Sequence, residues 1–191
     1  KRAGTNWEFL KMWDVNTDFS ITSANAQFGR RISLKGDYLI IGSDESFAAN
    51  VGSGKVYIFQ KNLGGTDNWG HVKTLAYPGS NNLNVEDFAN ERFGFANSMD
   101  GDYIAVGWIS GDPGTGGHDQ RGQAFIVRLS DGGILQWIKR FGLLNTPKDT
   151  FWEVVEADDG GFVAVGSKLE AREFYFYDHF WFLKIDADGN E

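Results

Sequence analysis

"FGFANSMDGDYIAVG" (Phe93–Gly107) repeats an earlier stretch, "FGRRISLKGDYLIIG" (Phe28–Gly42), at a distance of 65 residues. Both stretches begin with Phe-Gly, carry Gly-Asp-Tyr at the centre and end on a glycine. The match continues along the chain, because "GKVYIFQK" (Gly54–Lys61) corresponds to "GQAFIVRL" (Gly122–Leu129). Self-similarity at a fixed spacing indicates a repeat architecture in which each copy forms one structural unit.

A third, looser copy follows as "FWEVVEADDGGFVAVG" (Phe151–Gly166) and "DHFWFLKI" (Asp178–Ile185). The glycine expected to open the second strand of each copy recurs at Gly36, Gly101 and Gly160, with spacings of 65 and 59 residues. Each copy holds short runs rich in Val, Ile, Tyr, Phe and Trp, separated by Gly, Asp and Asn. This pattern is typical of short strands joined by turns, and we interpret each copy as four strands.

The runs are apolar at nearly every position, as in "YLIIG", "YIAVG", "VYIF" and "FWFL". A sheet with one face in water would alternate apolar and polar residues, so we expect both faces of each sheet to be covered. Four-stranded antiparallel sheets that are covered on both faces predict an all-β chain built from the blades of a β-propeller. The alternative, a β-sandwich, would not repeat the same sequence pattern in groups of four strands.

The phrase "FGRRISLKGDYLIIG" followed by "GKVYIFQKN" resembles the FG-GAP repeat, the blade unit of integrin α-chain propellers and of many bacterial surface proteins. The resemblance runs from Gln27 to about Phe141. The third copy, with "DDGGFVAVG" and "KIDADGN", is more similar to another bacterial propeller repeat. The resemblance implies a bacterial protein that is secreted or displayed on the cell surface and acts in recognition or adhesion.

The repeat also predicts how the chain is divided. "NWEFLKMW" (Asn6–Trp13) matches "NWGHVKTL" (Asn68–Leu75), the fourth strand of the first copy. We therefore expect about three blades' worth: a closing strand within 1–13, blades over 27–75 and 93–141, and a blade over 151–191 that lacks its last strand. Since propellers have roughly four to eight blades, we expect either a slice of a larger propeller or a half that closes a ring with a second copy.

Composition excludes several classes of function. The chain of 191 residues has no cysteine, which excludes disulfides, thiolate metal sites and a cysteine nucleophile. Its formal net charge of -8 disfavours nucleic acid and anionic membranes as partners. No apolar run is long enough for a membrane span, so we expect no membrane insertion.

The unequal links between strands predict where a ligand binds. We expect long links over 43–53, 108–121 and 167–177, and further ones between repeats, all on one face, whereas "LKGD" and "MDGD" make tight turns on the other. Long loops on a rigid scaffold are where recognition is concentrated, so we expect a protein or glycan ligand there. The candidate ligand-binding residues are Trp108, Asp112, His118, Asp119, Tyr175 and Tyr177.

Two of these features also have a purely structural interpretation. The run "EFYFYDHFWFL" is compatible with a long third strand, in which alternate aromatic residues are buried between blades. His118, in a glycine-rich link, is compatible with a solvated loop histidine.

Calcium is the cofactor that the resemblance implies, held between the first two strands of a blade. Such sites need several carboxylate or amide oxygens that converge on the cation. Ordinary Asp-Gly turns account for the same residues, so we predict no cofactor and no metal site. The acids that would hold calcium if it binds are Asp158, Asp159, Asp186 and Asp188.

We find no constellation of catalytic residues in the sequence. "GDPGTGGHDQRG" (Gly111–Gly122) lacks both a phosphate-binding lysine and a following helix, and no Gly-x-Ser-x-Gly motif occurs. We therefore expect a non-enzymatic module. Two alternatives stay open: a structural or assembly array of blades within a larger surface protein, and the non-catalytic part of a propeller enzyme.

Overall fold

The computed structural model of the chain is built almost entirely of antiparallel β-strands. It describes residues 2–3, 6–7, 11–19, 27–43, 54–66, 68–76, 93–109, 122–130, 134–141, 150–172 and 175–191. In that part of the chain, no helix is long and apolar enough to cross a membrane.

Three antiparallel sheets form the body of the fold, and strands follow one another in sequence order within each. Sheet A contains β3 (Arg31–Lys35), β4 (Tyr38–Ser43), β5 (Lys55–Gln60) and β6 (Gly70–Ala76). Sheet B contains β7 (Ala96–Asp100), β8 (Tyr103–Ile109), β9 (Gly122–Ser130) and β10 (Ile134–Phe141). Sheet C contains β11 (Thr150–Glu156), β12 (Phe162–Arg172) and β13 (Tyr175–Ile185).

The three sheets are arranged like successive blades. Their first strands, β3, β7 and β11, lie side by side, as the inner strands of a propeller do. Each sheet packs one face on the next. The interface between sheets A and B includes Ile40, Val56, Ile58, Ile104, Val106 and Phe125, and that between B and C includes Tyr103, Ala105, Ile126, Phe162, Ala164 and Ile185. The predicted all-β, blade-like architecture is thereby confirmed, although the described sheets do not close a ring.

Equivalent residues of sheets A and B point in the same direction along the stack. Ile40 faces sheet B, and Ala105, 65 residues later, faces sheet C. We call this the forward face of a sheet. Ile41 lies on the opposite, backward face of sheet A, and its counterpart Val106 lies on the backward face of sheet B, against sheet A.

Sheet C breaks this correspondence by one residue. Phe162 follows Gly160 as Tyr103 follows Gly101, yet Phe162 packs backward on sheet B whereas Tyr103 faces forward. The reason is the length of the turn. Asp100 and Tyr103 are the last pair of β7 and β8, so two residues join these strands, whereas five residues, 157–161, join β11 and β12. A shift of one residue along a strand exchanges its two faces, so the matching glycines do not fix the orientation of the third copy.

The N-terminal segment covers the backward face of sheet A. Two short strands, β1 (Arg2–Ala3) and β2 (Asn6–Trp7), pair with each other rather than with sheet C, and helix α1 (Val15–Phe19) follows. The Trp13 ring lies 4.3 Å from that of Phe59, and the Phe19 ring 4.9 Å from that of Tyr57. These aromatic contacts bury the β5 side of this face.

A carboxylate joins the ends of the first strands of all three sheets. Asp100 Oδ1 lies 2.9 Å from Lys35 Nζ, and Asp100 Oδ2 accepts a hydrogen bond of 2.9 Å from the Glu156 amide. Burial by itself raises the pKa of Asp100, but the hydrogen bonds from Lys35 and Glu156 outweigh it and hold that pKa below its ordinary value. The ends of β3, β7 and β11 are thus fixed to one another.

Replacing Asp100 by asparagine should lower the free energy of unfolding by about 1 kcal/mol near neutral pH. A carboxyl whose pKa is depressed by folding stabilises the protein above its unfolded pKa and loses that effect as pH falls. The difference from the wild type should therefore shrink below about pH 4. Urea denaturation across pH measures this.

The matched control is Asp37→Asn, because Asp37 lies 3.8 Å from Lys61 with both side chains exposed. Such a surface pair contributes little. An equal loss in both variants would show that Asp100 does not join the sheets.

Candidate functional site

The long connections between strands leave from one end of the stacked sheets. The tight turns lie together at the other end, where Lys35 and Glu156 meet Asp100. At the opposite end, the last pairs before connections 44–53 and 110–121 are Ser43↔Lys55 and Ile109↔Gly122. Sheets A and B approach each other closely at this end, because a Cβ placed on Gly42 would collide with the Gly94 carbonyl oxygen.

The third expected connection is mostly strand. β12 and β13 stay paired as far as Arg172↔Tyr175, so most of the expected link 167–177 belongs to a long hairpin. The expectation of a long loop here is wrong, and the alternative interpretation of a long third strand is the observed one. Aromatic residues favour the pleated, half-buried surface of a strand, which explains why this run extends the sheet.

The structure places three of the six predicted ligand-binding residues, Trp108, Tyr175 and Tyr177. Trp108 lies in β8, opposite Gln123, two residues before connection 110–121 begins. Tyr175 and Tyr177 lie in β13, opposite Arg172 and Glu170. The directions of these three side chains lie outside the described part of the structure, as do the residues Asp112, His118 and Asp119. What the fold brings to one end of the sheets is therefore Trp108 and the connection that follows it.

The candidate metal acids lie in turns at the end of sheet C. Asp159 Oδ1 accepts hydrogen bonds from Lys184 Nζ at 2.6 Å and from the Gly161 amide at 3.0 Å. The bond from Lys184, with that from Gly161, lowers the pKa of Asp159. Asp158, next to Asp159, is exposed in the same turn.

The second turn is closed in a similar way. Asp186 Oδ1 accepts from the amides of Asn190 at 2.8 Å and Asp188 at 2.9 Å, and the bonds from Asn190 lower the pKa of Asp186. Among the described residues, no three His, Asp or Glu side chains converge as metal ligands would. The carboxylates of Asp159 and Asp186 accept the hydrogen bonds that close these two turns.

A pocket that the sequence did not indicate lies between helix α1 and sheet A. Its volume is about 350 Å³, and it is lined by Asp18, Phe19, Lys55, Tyr57, His71 and Thr74. His71 Nε2 lies 3.0 Å from Thr74 Oγ1, and burial lowers the pKa of this histidine. Aromatic walls with a few polar groups are the usual lining of a small-molecule site.

Sequence reasoning missed this pocket because its two walls are far apart in the chain. Helix α1 is a single short turn with no apolar periodicity of its own. Its position follows from the packing of Phe19 on Tyr57 and on the His71 ring, whose centroid lies 5.3 Å away. The only local signal is that Tyr57 and Phe59 alternate on one face of β5.

Stacked antiparallel sheets with adjacent first strands define a repeat module of the β-propeller type. A family model described as the FG-GAP repeat matches residues 22–59, which include β3, β4 and most of β5. Residues 22–59 of the chain therefore carry an FG-GAP-type repeat. No curated protein gives a significant match to it.

Proposed function

We propose that this chain is a non-enzymatic recognition or adhesion module of a secreted or cell-surface protein. It binds a protein or glycan through the end of the sheets from which connections 44–53, 77–92, 110–121 and 142–149 leave. The observation that supports this proposal is the separation of the two ends: hydrogen bonds fix the tight turns at one end, while the long connections start at the other.

The chemistry of the longest of these connections between paired strands fits such a role. It follows Trp108 and carries Asp112, His118 and Asp119 between glycines. Aromatic rings offer flat apolar area, and carboxylate and imidazole groups hydrogen-bond to hydroxyl or amide groups. A rigid scaffold limits the entropy that such loops lose on binding, which favours recognition.

The direct test uses a triple variant, Asp112→Ala, His118→Ala and Asp119→Ala. The labelled wild-type chain is applied to a panel of immobilised glycans and extracellular proteins. We expect at least one specific signal, which the triple variant lowers by about tenfold or more, equivalent to about 1.4 kcal/mol.

A control variant, Asp37→Ala with Lys61→Ala, removes charges at the tight-turn end and should bind as the wild type does. Circular dichroism and melting temperature establish that each variant is folded. Absence of any specific signal on the panel, or equal binding by the triple variant, would contradict the proposal.

A further inference from the structure

The pocket between helix α1 and sheet A has the size of a small-molecule site. Its volume is about 350 Å³, and such sites measure roughly 300–1,000 Å³, so it has room for one small ligand. The floor is formed by side chains of two paired strands, where Tyr57 of β5 lies opposite Thr74 of β6. Helix α1 supplies the facing wall through Asp18 and Phe19.

The aromatic part of the lining is fixed by ring contacts. The Phe19 ring lies 4.9 Å from that of Tyr57 and 5.3 Å from that of His71. The Phe28 ring supports it from another side, at 5.5 Å from Phe19 and 5.3 Å from Tyr57. Rings held by their neighbours offer an apolar surface that exists before a ligand arrives, which reduces the entropy lost on binding.

The polar part of the lining carries both signs of charge. Among the described lining residues, Asp18 is the only acid and Lys55 the only amine, and burial lowers the pKa of His71, which keeps its ring neutral near pH 7. The Asp18 carboxylate already accepts a hydrogen bond of 2.9 Å from the Asp14 amide, and the Thr74 hydroxyl lies 3.0 Å from His71 Nε2. A lining without net charge does not favour an ion, whereas its donors and acceptors suit hydroxyl groups, which both donate and accept.

The pocket reaches the end of the sheets from which the long connections leave. Lys55 begins β5, which follows connection 44–53, and it pairs with Ala76, the last residue before connection 77–92. A ligand in the pocket would therefore lie beside two of these connections. None of the described lining residues belongs to connection 110–121, so the pocket is a separate site and does not rest on the function proposed above.

We propose that this pocket binds a neutral sugar unit. The sugar ring packs on Phe19, with Tyr57 at the floor. Its hydroxyl groups form hydrogen bonds with Asp18, Lys55 and Thr74. A sugar combines C–H faces that pack on aromatic rings with hydroxyl groups that need partners of both kinds. A free amino acid fits less well, because the carboxylate that would pair with its ammonium group already accepts a backbone hydrogen bond.

The test is isothermal titration calorimetry of the full chain with four free sugars: glucose, galactose, mannose and N-acetylglucosamine. We expect at least one to bind with a dissociation constant of about 1 mM or lower. Thr74→Phe places a ring in the pocket and should abolish this binding. Asp18→Asn keeps the size of the side chain but removes its charge, and should weaken binding by about tenfold.

Two control variants make the same changes outside the pocket. Asp37→Asn alters an exposed acid at the tight-turn end, and Thr66→Phe alters an exposed residue between β5 and β6. Both should bind the sugar as the wild type does. The triple variant in connection 110–121 should do so too, which distinguishes this site from the one proposed above.

Circular dichroism establishes that each variant is folded, and Asp18→Asn decides the test if Thr74→Phe is not. Glycine and phenylalanine, titrated in the same way, represent the free amino acids. Three results would each overturn the proposal: no binding of any of the four sugars, sugar binding that persists unchanged in the folded pocket variants, or binding of an amino acid but of no sugar.

Discussion

Replacing Phe162 by alanine should lower the free energy of unfolding by about 3–5 kcal/mol. Phe162 is fully buried between sheets B and C, and its ring centroid lies 4.5 Å from that of Tyr103 and 6.1 Å from that of Trp137. Truncation leaves a cavity between two sheets whose backbones are held by their own ladders, so the gap cannot easily close. Urea denaturation followed by tryptophan fluorescence measures the loss.

The matched control is Phe182→Ala, on the opposite face of the same sheet. Phe182 is 60% exposed, so truncation removes little buried area. We expect a change below about 1 kcal/mol. Equal losses in the two variants would mean that Phe162 does not face sheet B, and that sheet C keeps the orientation suggested by the glycine spacing.

The repetition of Phe-Gly and Gly-Asp-Tyr was sufficient to predict the sheets, because each strand pair is encoded locally. Apolar runs such as Tyr38–Ile41 carry the β propensity, and Gly36 and Gly101 both occupy turns with positive φ, at 56° and 52°. These features act over a few residues and are readable without knowledge of the tertiary structure.

The orientation of sheet C was not predictable in the same way. It depends on the number of residues in the turn before Phe162, and the glycines suggested a correspondence that the longer turn breaks. The candidate site was likewise predictable only in part. The long links after β4 and β8 followed from the sequence, but the one expected over 167–177 is mostly strand. The pocket beside His71 depends on where helix α1 packs. Contacts between distant segments leave no periodic pattern in either segment.

Gly94→Ala should lower the free energy of unfolding by about 2–4 kcal/mol, because two costs add. The backbone at Gly94 has a φ of +88°, in the region that residues with a Cβ rarely adopt. A Cβ at this position would also lie 2.7 Å from the Lys55 carbonyl oxygen and 2.8 Å from Val56 Cγ2, both in sheet A. Neither the strand of sheet A nor the buried valine can move away without opening the interface.

Gly29→Ala separates the two costs, because Gly29 is the same position in the preceding repeat. Its φ is +85°, and its amide donates to Gly42 at 3.0 Å just as that of Gly94 donates to Gly107 at 3.1 Å. A Cβ on Gly29, however, would meet nothing within 4 Å. We expect this variant to lose only the backbone cost of about 1–2 kcal/mol.

The difference between the two glycine variants, read from urea denaturation, isolates the close approach of sheet B to sheet A. Equal losses would show that the glycine of Phe-Gly is required only for the positive φ of the turn. A larger loss at Gly94 would show that this glycine is also required at the interface, because the absence of a side chain lets the Lys55 carbonyl of sheet A approach sheet B. On that argument, Phe93 and Gly94 serve one purpose: the ring fills the apolar interface, where it lies 5.5 Å from that of Phe125, and the glycine allows the backbones to meet beside it.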